Sequence, residues 1–262
     1  MTSHLRSSIE SVRLSGLVAL RHWLVFRRDF FANVSPTLVD PFLYILVFGA
    51  WLGTQMQSAG PRSYLEFMAP GIAAMTALFT SFFEGSYGFY VRLVYENVFK
   101  ALMTTPVGPR EVLFGELIWL GSKGAIMASF VSLVLVIMGV AKPNYLLLTP
   151  LMGLLIGVSC GAIGLLACTF VKNINQFQAV YAWIISPMFF VSGMFVPTAA
   201  MPAMIQKVCW LSPFYHGVQL AQATLWAEGV LSAWIIHGSI LACMAGLLAT
   251  WMWHRIYPQL YG

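Results

Sequence analysis

The chain alternates long apolar runs with short polar breaks, and the lengths of the runs set the first expectation. A membrane-crossing helix needs about 20 mostly apolar residues. Six runs meet that length: residues 36–56, 67–91, 112–140, 145–171, 177–196 and 230–253. The first is interrupted by Asp40-Pro41, which leaves only a short clean stretch. Residues 198–229 are partly apolar but broken by Pro202 and Pro213. That predicts short helices dipping into one interface rather than a seventh span. Ahead of the first run, residues 5–30 follow a helical pattern. At about 100° per residue, Arg6, Glu10, Arg13, Arg21 and Arg28 fall within an arc of about 80°, facing Leu5, Val12, Trp23 and Phe26. Leu17 and Leu24 sit inside that charged arc. The pattern predicts a helix lying along the membrane interface; a plain charged anchor is the alternative. The fold expected is all-α and integral to the membrane, with an interfacial helix over 1–30 and one six-helix domain over 31–262.

Composition supports that class. Hydrophobic residues make up 59% of the 262 and charged residues 9%, where a soluble domain carries about 25% charged residues. The net charge of +5 therefore bears on topology rather than on nucleic acid. Arg6, Arg13, Arg21, Arg27, Arg28, Arg92, Lys100, Arg110, Lys172 and Arg255 fall on one side of a six-span arrangement. Arg62, Lys142 and Lys207 fall on the other, and Lys123 lies within a span. Positive charge gathers on the cytoplasmic side, so both termini are expected there. No cleavable signal peptide is expected, because the first thirty residues carry five arginines and no uninterrupted apolar core. Cys160, Cys168, Cys209 and Cys243 include no C-x-x-C pair, and only Cys209 falls outside the membrane on the far side, so no intrachain disulfide is expected. The histidines (His4, His22, His216, His237 and His254) lack ligand spacing, so no metal site is expected either.

Two motifs need weighing. Gly157-Val158-Ser159-Cys160-Gly161 matches the G-x-S-x-G nucleophile elbow as text, but that chemistry needs a strand before the serine and His and Asp partners. Here the serine lies inside an apolar run. Gly153, Gly157 and Gly161 recur every four residues, a small-residue face on which helix backbones approach closely. The second motif is a set of charges inside the spans: Glu84, Glu116 and Lys123. An intramembrane charge costs at least a few kcal/mol unless paired or wet. Glu84 lies roughly 12 Å before the inner end of its span and Lys123 roughly 16 Å past the inner end of the next, which predicts a Glu84–Lys123 pair that Glu116 extends. Such a pair either holds two helices together or takes part in substrate passage; the alternative is that each charge lines a wet inner cavity without pairing.

The stretch "YENVFKALMTTPVGPREVLFGE" (residues 95–116) is polar and falls between the second and third spans. Glu96, Lys100, Arg110 and Glu111 are expected to be solvated, with Val98, Phe99, Leu102 and Met103 giving a short helix one apolar side. Thr104-Thr105-Pro106 ends that helix, since proline disfavours helical geometry in the residue before it. An ordinary connecting loop is the alternative. The chain holds no G-x-x-x-x-G-K-[ST], so no P-loop of its own.

The segment "FEGSYGFYVRLVYENVFKALMTTPVGPREVLFGELIW" (residues 83–119) resembles the loop signature of ABC type-2 exporter permeases, more closely the nodulation-factor (NodJ-type) branch. "SGMFVPTAAMPAMIQKVCWLSPFYHGVQLAQA" (residues 192–223) resembles that family's C-terminal signature, with Gln222 where many members carry arginine. "LVDPFLYILVFGAWLG" (residues 38–53) and "YLEFMAPGI" (residues 64–72) resemble its first two spans. The resemblance runs essentially end to end. It implies a permease subunit that dimerises over two copies of an ATPase, with ATP and Mg held by that partner and no cofactor on this chain. It implies that a coupling loop over about 92–111 meets the ATPase, through Glu96, Phe99, Lys100, Leu102, Pro106, Arg110 and Glu111. It also implies external re-entrant helices over about 198–229, where Trp210, Pro213, Phe214, Tyr215 and His216 would face an amphipathic cargo. The implied cargo is a lipo-oligosaccharide or related glycolipid moved out across the bacterial inner membrane. A drug efflux permease and a membrane enzyme acting on lipid or glycan are the alternatives.

Overall fold

The computed structural model describes residues 2–52 and 63–261, and every regular element among them is helical. Arg62 and residues 53–56, the end of the first expected span, lie outside the described residues. The elements are α1 (Thr2–Arg28), α2 (Phe30–Phe48), α3 (Tyr64–Tyr95), the short α4 (Val98–Leu102), α5 (Pro109–Ile137), α6 (Tyr145–Ala167), α7 (residues 177–190), α8 (Ala203–Cys209), α9 (Pro213–Trp226) and α10 (Val230–Tyr257). Five of them, α2, α3, α5, α6 and α10, are long and apolar enough to cross a membrane. The fifth expected span is shorter than its apolar run. Its helix stops at residue 190, where Ser192 begins a turn that passes through Gly193 at φ +85°.

Local chemistry sets the helix starts. Ser63 opens α3 with a capping box: its hydroxyl accepts from Glu66 N at 3.3 Å, and its own N–H donates to Glu66 Oε2 at 3.0 Å. Pro109 is the first residue of α5, where its missing N–H costs nothing, and Gly108 N donates to Glu111 Oε2 at 3.0 Å. The α5 helix therefore starts three residues before the expected span. The α3 helix runs on past residue 91 to Tyr95, through two π-helical turns at Glu84–Gly88 and Val91–Tyr95. Pro41 lies inside α2 without ending it.

α3, α5 and α6 form the centre. Gly121, Gly124, Gly153 and Gly157 bring α5 and α6 into backbone contact: a Cβ added to Gly124 would lie 2.6 Å from the Gly153 carbonyl oxygen, and one on Gly153 2.7 Å from that of Gly124. The small-residue face of α6 thus packs on α5, and its far end on α3, where Gly161 O lies 2.5 Å from a Cβ built on Gly85. Ser159 is helical and buried, and its hydroxyl donates back to Leu155 O at 2.8 Å.

α1 packs along α5 on a face that the charge arc did not indicate. Among its described side chains Ser15, Val18, His22 and Phe26 are buried, while Val12 is 73% exposed. The facing is set by α5: Val18 fills the space over Gly115, and His22 stacks on Trp119 with ring centres 5.6 Å apart. Ile9, Val12, Leu20 and Trp23 remain on an outward apolar strip beside the arginines. The side chains of Leu5 and Arg6 lie outside the described residues.

Candidate functional site

The residues expected in the loop separate into two groups. Phe99 is only 1% exposed and lies against Phe89 of α3, ring centres 4.9 Å apart. It points into a cluster with Val107, Val112 and Leu113, so it is turned away from any partner beneath the loop. Leu102 packs partly against the same cluster. Glu111 is not freely solvated: besides capping α5 it accepts from Ser11 Oγ of α1 at 2.6 Å. The outward face is made by Tyr95, Glu96, Lys100, Ala101, Pro106 and Arg110. The apolar side of α4 thus anchors the helix to the domain, and its polar side faces out.

Directly above this loop a chain of ionised groups runs through the helices. Lys123 Nζ donates to Glu84 Oε2 at 2.7 Å, and the other oxygen of Glu84 accepts from Arg92 Nη1 at 2.7 Å. Arg92 Nη2 donates to Glu116 Oε2 at 2.9 Å, and His22 Nε2 donates to Glu116 Oε1 at 2.8 Å. Lys123 and Glu116 come from α5, Glu84 and Arg92 from α3, and His22 from α1. Glu84 and Lys123 pair directly, as their depths predict. Glu116, which is 0% exposed, joins them only through Arg92.

Arg92 was expected on the cytoplasmic surface. Because α3 continues to Tyr95, Arg92 lies in its last turns, and two carboxylates draw its side chain inward. In an unbroken α-helix, residues eight apart diverge by about 80° around the axis. The π turns that contain Glu84 and Arg92 underwind the helix and narrow that angle. No sequence pattern marks His22, whose partner lies 94 positions away. The one sequence signal for Arg92 is a cation at a helix end within reach of two buried acids.

Two cavities meet at this chain. One, of about 570 Å³, is walled by the rings of Tyr44, Phe79, Phe83, Tyr181, Phe189 and Phe190, with Asp40, Glu84 and Lys123 as its charged groups. The other, of about 400 Å³, lies between α1 and the α3–α5 pair, where Arg21, His22, Arg92 and Glu96 line it. Glu84, Gly88 and Lys123 line both, so the Glu84–Lys123 pair is a wall common to the two. Each acid of the chain faces a cation, which suits the site to holding and moving helices rather than to acid–base chemistry.

At the opposite end, α8 and α9 are short helices, as the prolines predict. Phe214 is 0% exposed and stacks on Phe189, and Tyr215 and His216 are also buried. Pro213 is the buried first residue of α9. Only Trp210 of the expected cargo-facing set is exposed. His216 Nε2 donates to Trp210 O at 3.0 Å, and His216 Nδ1 then accepts from His237 Nδ1 of α10 at 2.8 Å. These rings hold α9 to α10.

The model of the ABC-2 type transporter family matches residues 15–226. "Nodulation protein J" of Rhizobium meliloti (strain 1021) is 24% identical over 86% of this chain and 86% of its own. "Nodulation protein J" of Rhizobium leguminosarum bv. viciae is 23% identical over 80% of this chain and 81% of its own. "Inner membrane transport permease YadH" of Escherichia coli (strain K12) is 22% identical over 73% and 74%. No solved structure matches. The chain belongs to the ABC-2 type transporter family, as a multi-pass membrane permease of the nodulation protein J type.

Proposed function

We propose that the chain is the permease subunit of an ATP-driven exporter that carries an amphipathic lipo-oligosaccharide or related glycolipid out across the inner membrane. Two copies of the chain work over two copies of an ATPase, which binds ATP and Mg; this chain holds neither. α7 and the turn after it complete the six crossings, which puts the arginine-rich N-terminal segment and Arg255 on the cytoplasmic side. The helices of residues 198–229 stand at the exit.

The observation that carries this reading is the joining of α4 to the ion chain. Tyr95, Glu96, Lys100 and Ala101 offer the ATPase a face, while Phe99 on the other side of α4 is fixed against Phe89. A push on α4 reaches α3 at that contact, three residues from Arg92, and passes through Glu116 and Glu84 to Lys123. The Glu84–Lys123 wall then moves relative to the aromatic cavity that takes the cargo. Aromatic rings beside a charged end suit a molecule with an acyl part and a polar part. The same lining would take an amphipathic drug, which is the second reading. Reconstituted vesicles test the proposal: permease and ATPase together should export the cargo when ATP is added. Export by the permease alone would overturn it.

A further inference from the structure

A second groove, of about 420 Å³, opens on the outer surface between the first turns of α5 and the last turns of α10. Its walls are Leu113, Phe114, Leu117, Ala249, Met252 and Trp253, with Thr250, whose hydroxyl is bound to Leu247 O, and with Arg110 and His254 at the rim. Phe114 and Trp253 lie with ring centres 6.0 Å apart along it. The volume is within the range of small-molecule sites, about 300–1,000 Å³, and the walls are apolar enough that water gains little there.

The rim is charged in one sense only. Arg110 is exposed, and its guanidinium sits 5.8 Å over the Phe114 ring. Among the described residues it has no ion pair, because the neighbouring Glu111 is already bound to Gly108 N and Ser11 Oγ. No carboxylate lines the groove. An unpaired guanidinium stacked at the mouth of an apolar slot, at the edge of two spanning helices, matches a molecule with a phosphate head and a hydrocarbon tail.

We propose that this groove binds one anionic phospholipid of the leaflet on the α4 side of the membrane. Arg110 takes the phosphodiester, and one acyl chain lies between α5 and α10 against Trp253. The groove shares no lining residue with the aromatic cavity, so it is separate from the route proposed for the cargo. Lipid bound there would tie the start of α5, which caps the coupling loop, to α10.

The test uses the full-length permease in detergent, titrated with phosphatidylglycerol carrying brominated acyl chains, which quench nearby tryptophan. The difference between the native protein and a Trp253→Phe variant isolates the signal of that one ring. Saturable quenching of Trp253 is expected. Phosphatidylcholine with the same chains should need about tenfold more lipid, as should Arg110→Gln with phosphatidylglycerol, while Arg110→Lys should keep most of the affinity. Ala249→Phe, which fills the slot and leaves Arg110 in place, should abolish the saturable part. Equal half-saturation for the two lipids, or for Arg110→Gln and the native protein, would mean ordinary boundary lipid only and would overturn the proposal. Loss of ATPase binding in Arg110→Gln with lipid quenching unchanged would also overturn it, by assigning this arginine to the ATPase.

Discussion

Lys123 and Glu84 meet at 2.7 Å although 39 positions separate them, each on a different spanning helix and each partly exposed to the same two cavities. Removing Glu84 leaves the Lys123 ammonium without a carboxylate, at a cost of about 3–5 kcal/mol, whereas removing Lys123 leaves Glu84 still held by Arg92 and costs less. Lys123→Met and Glu84→Gln should each destabilise the protein. The double variant should lose less than the two singles added, by at least about 1 kcal/mol. Unfolding in detergent measures this cycle, and strict additivity would show that the contact contributes nothing.

Glu116 bridges Arg92 and His22 and so joins three helices. Glu116→Gln should be more damaging than His22→Ala, because it leaves the Arg92 guanidinium with one carboxylate instead of two. It should also loosen α1 on α5 around His22, although Val18, Phe26 and Ser11 still hold the helix there. Protease cleavage within residues 9–28 reports that loosening, and equal protection in the variant would contradict it.

The loop helix gives a contrast between neighbours. Phe99→Asp puts a charge into the cluster around Phe89 and should prevent stable folding, a loss of at least about 3 kcal/mol. Tyr95→Ala and Lys100→Glu lie on the outward face and should insert and fold normally. Co-purification with the ATPase should fail only for these outward variants among those that fold. Undiminished ATPase binding by the Tyr95→Ala, Lys100→Glu double variant would exclude this face.

Glycine substitutions test the contact between α5 and α6. A side chain on Gly124 meets backbone, which cannot give way, so Gly124→Leu should lower the melting temperature by several degrees, corresponding to about 1–3 kcal/mol of overpacking. Gly246→Ala on α10 meets nothing within 4 Å and should be nearly neutral. Similar melting temperatures for the two variants would refute the packing described.

Burial of His216 on α9 lowers its pKa below the ordinary histidine value, with the Trp210 carbonyl opposing in part. The ring is then neutral in the folded protein, whereas the unfolded chain takes up a proton near pH 6.5. Between those two pKa values the unfolded state binds more protons, so stability is fully present above about pH 6.5 and falls as pH drops below it. Melting curves at pH 8 and pH 5 should show this loss, and His216→Gln should reduce the difference. The groups facing this ring are His237 and Tyr215, so His237→Gln is the necessary companion.

Run length and charge bias were enough to read the all-helical membrane fold, the small-residue face of α6 and the Glu84–Lys123 contact. Each is a local pattern or follows from depth along a helix. What could not be read depends on which way a helix turns. Phe99 and Phe214 look like surface contacts in a list of loop residues, yet Phe89 and Phe189 draw them inward. Arg92 reads as one of the cytoplasmic-side charges because the apolar run ends before it, while the helix runs on past it and two buried acids hold it. The outward residues of α4 followed only once Phe99 was placed.

Backbone touching backbone at Gly124 and Gly153 has a mechanical meaning. Two rods with no cushion of side chains between them cannot slide or roll past one another without collision, so α5 and α6 travel as a single beam. In the exporter proposed above, the displacement that opens a route for cargo is then taken up along the beam's outer flanks, where α2 and α10 present mostly exposed surfaces. Spin labels placed one on α5 and one on α6 would keep a constant separation through the ATP cycle, while labels from the beam to α2 would not.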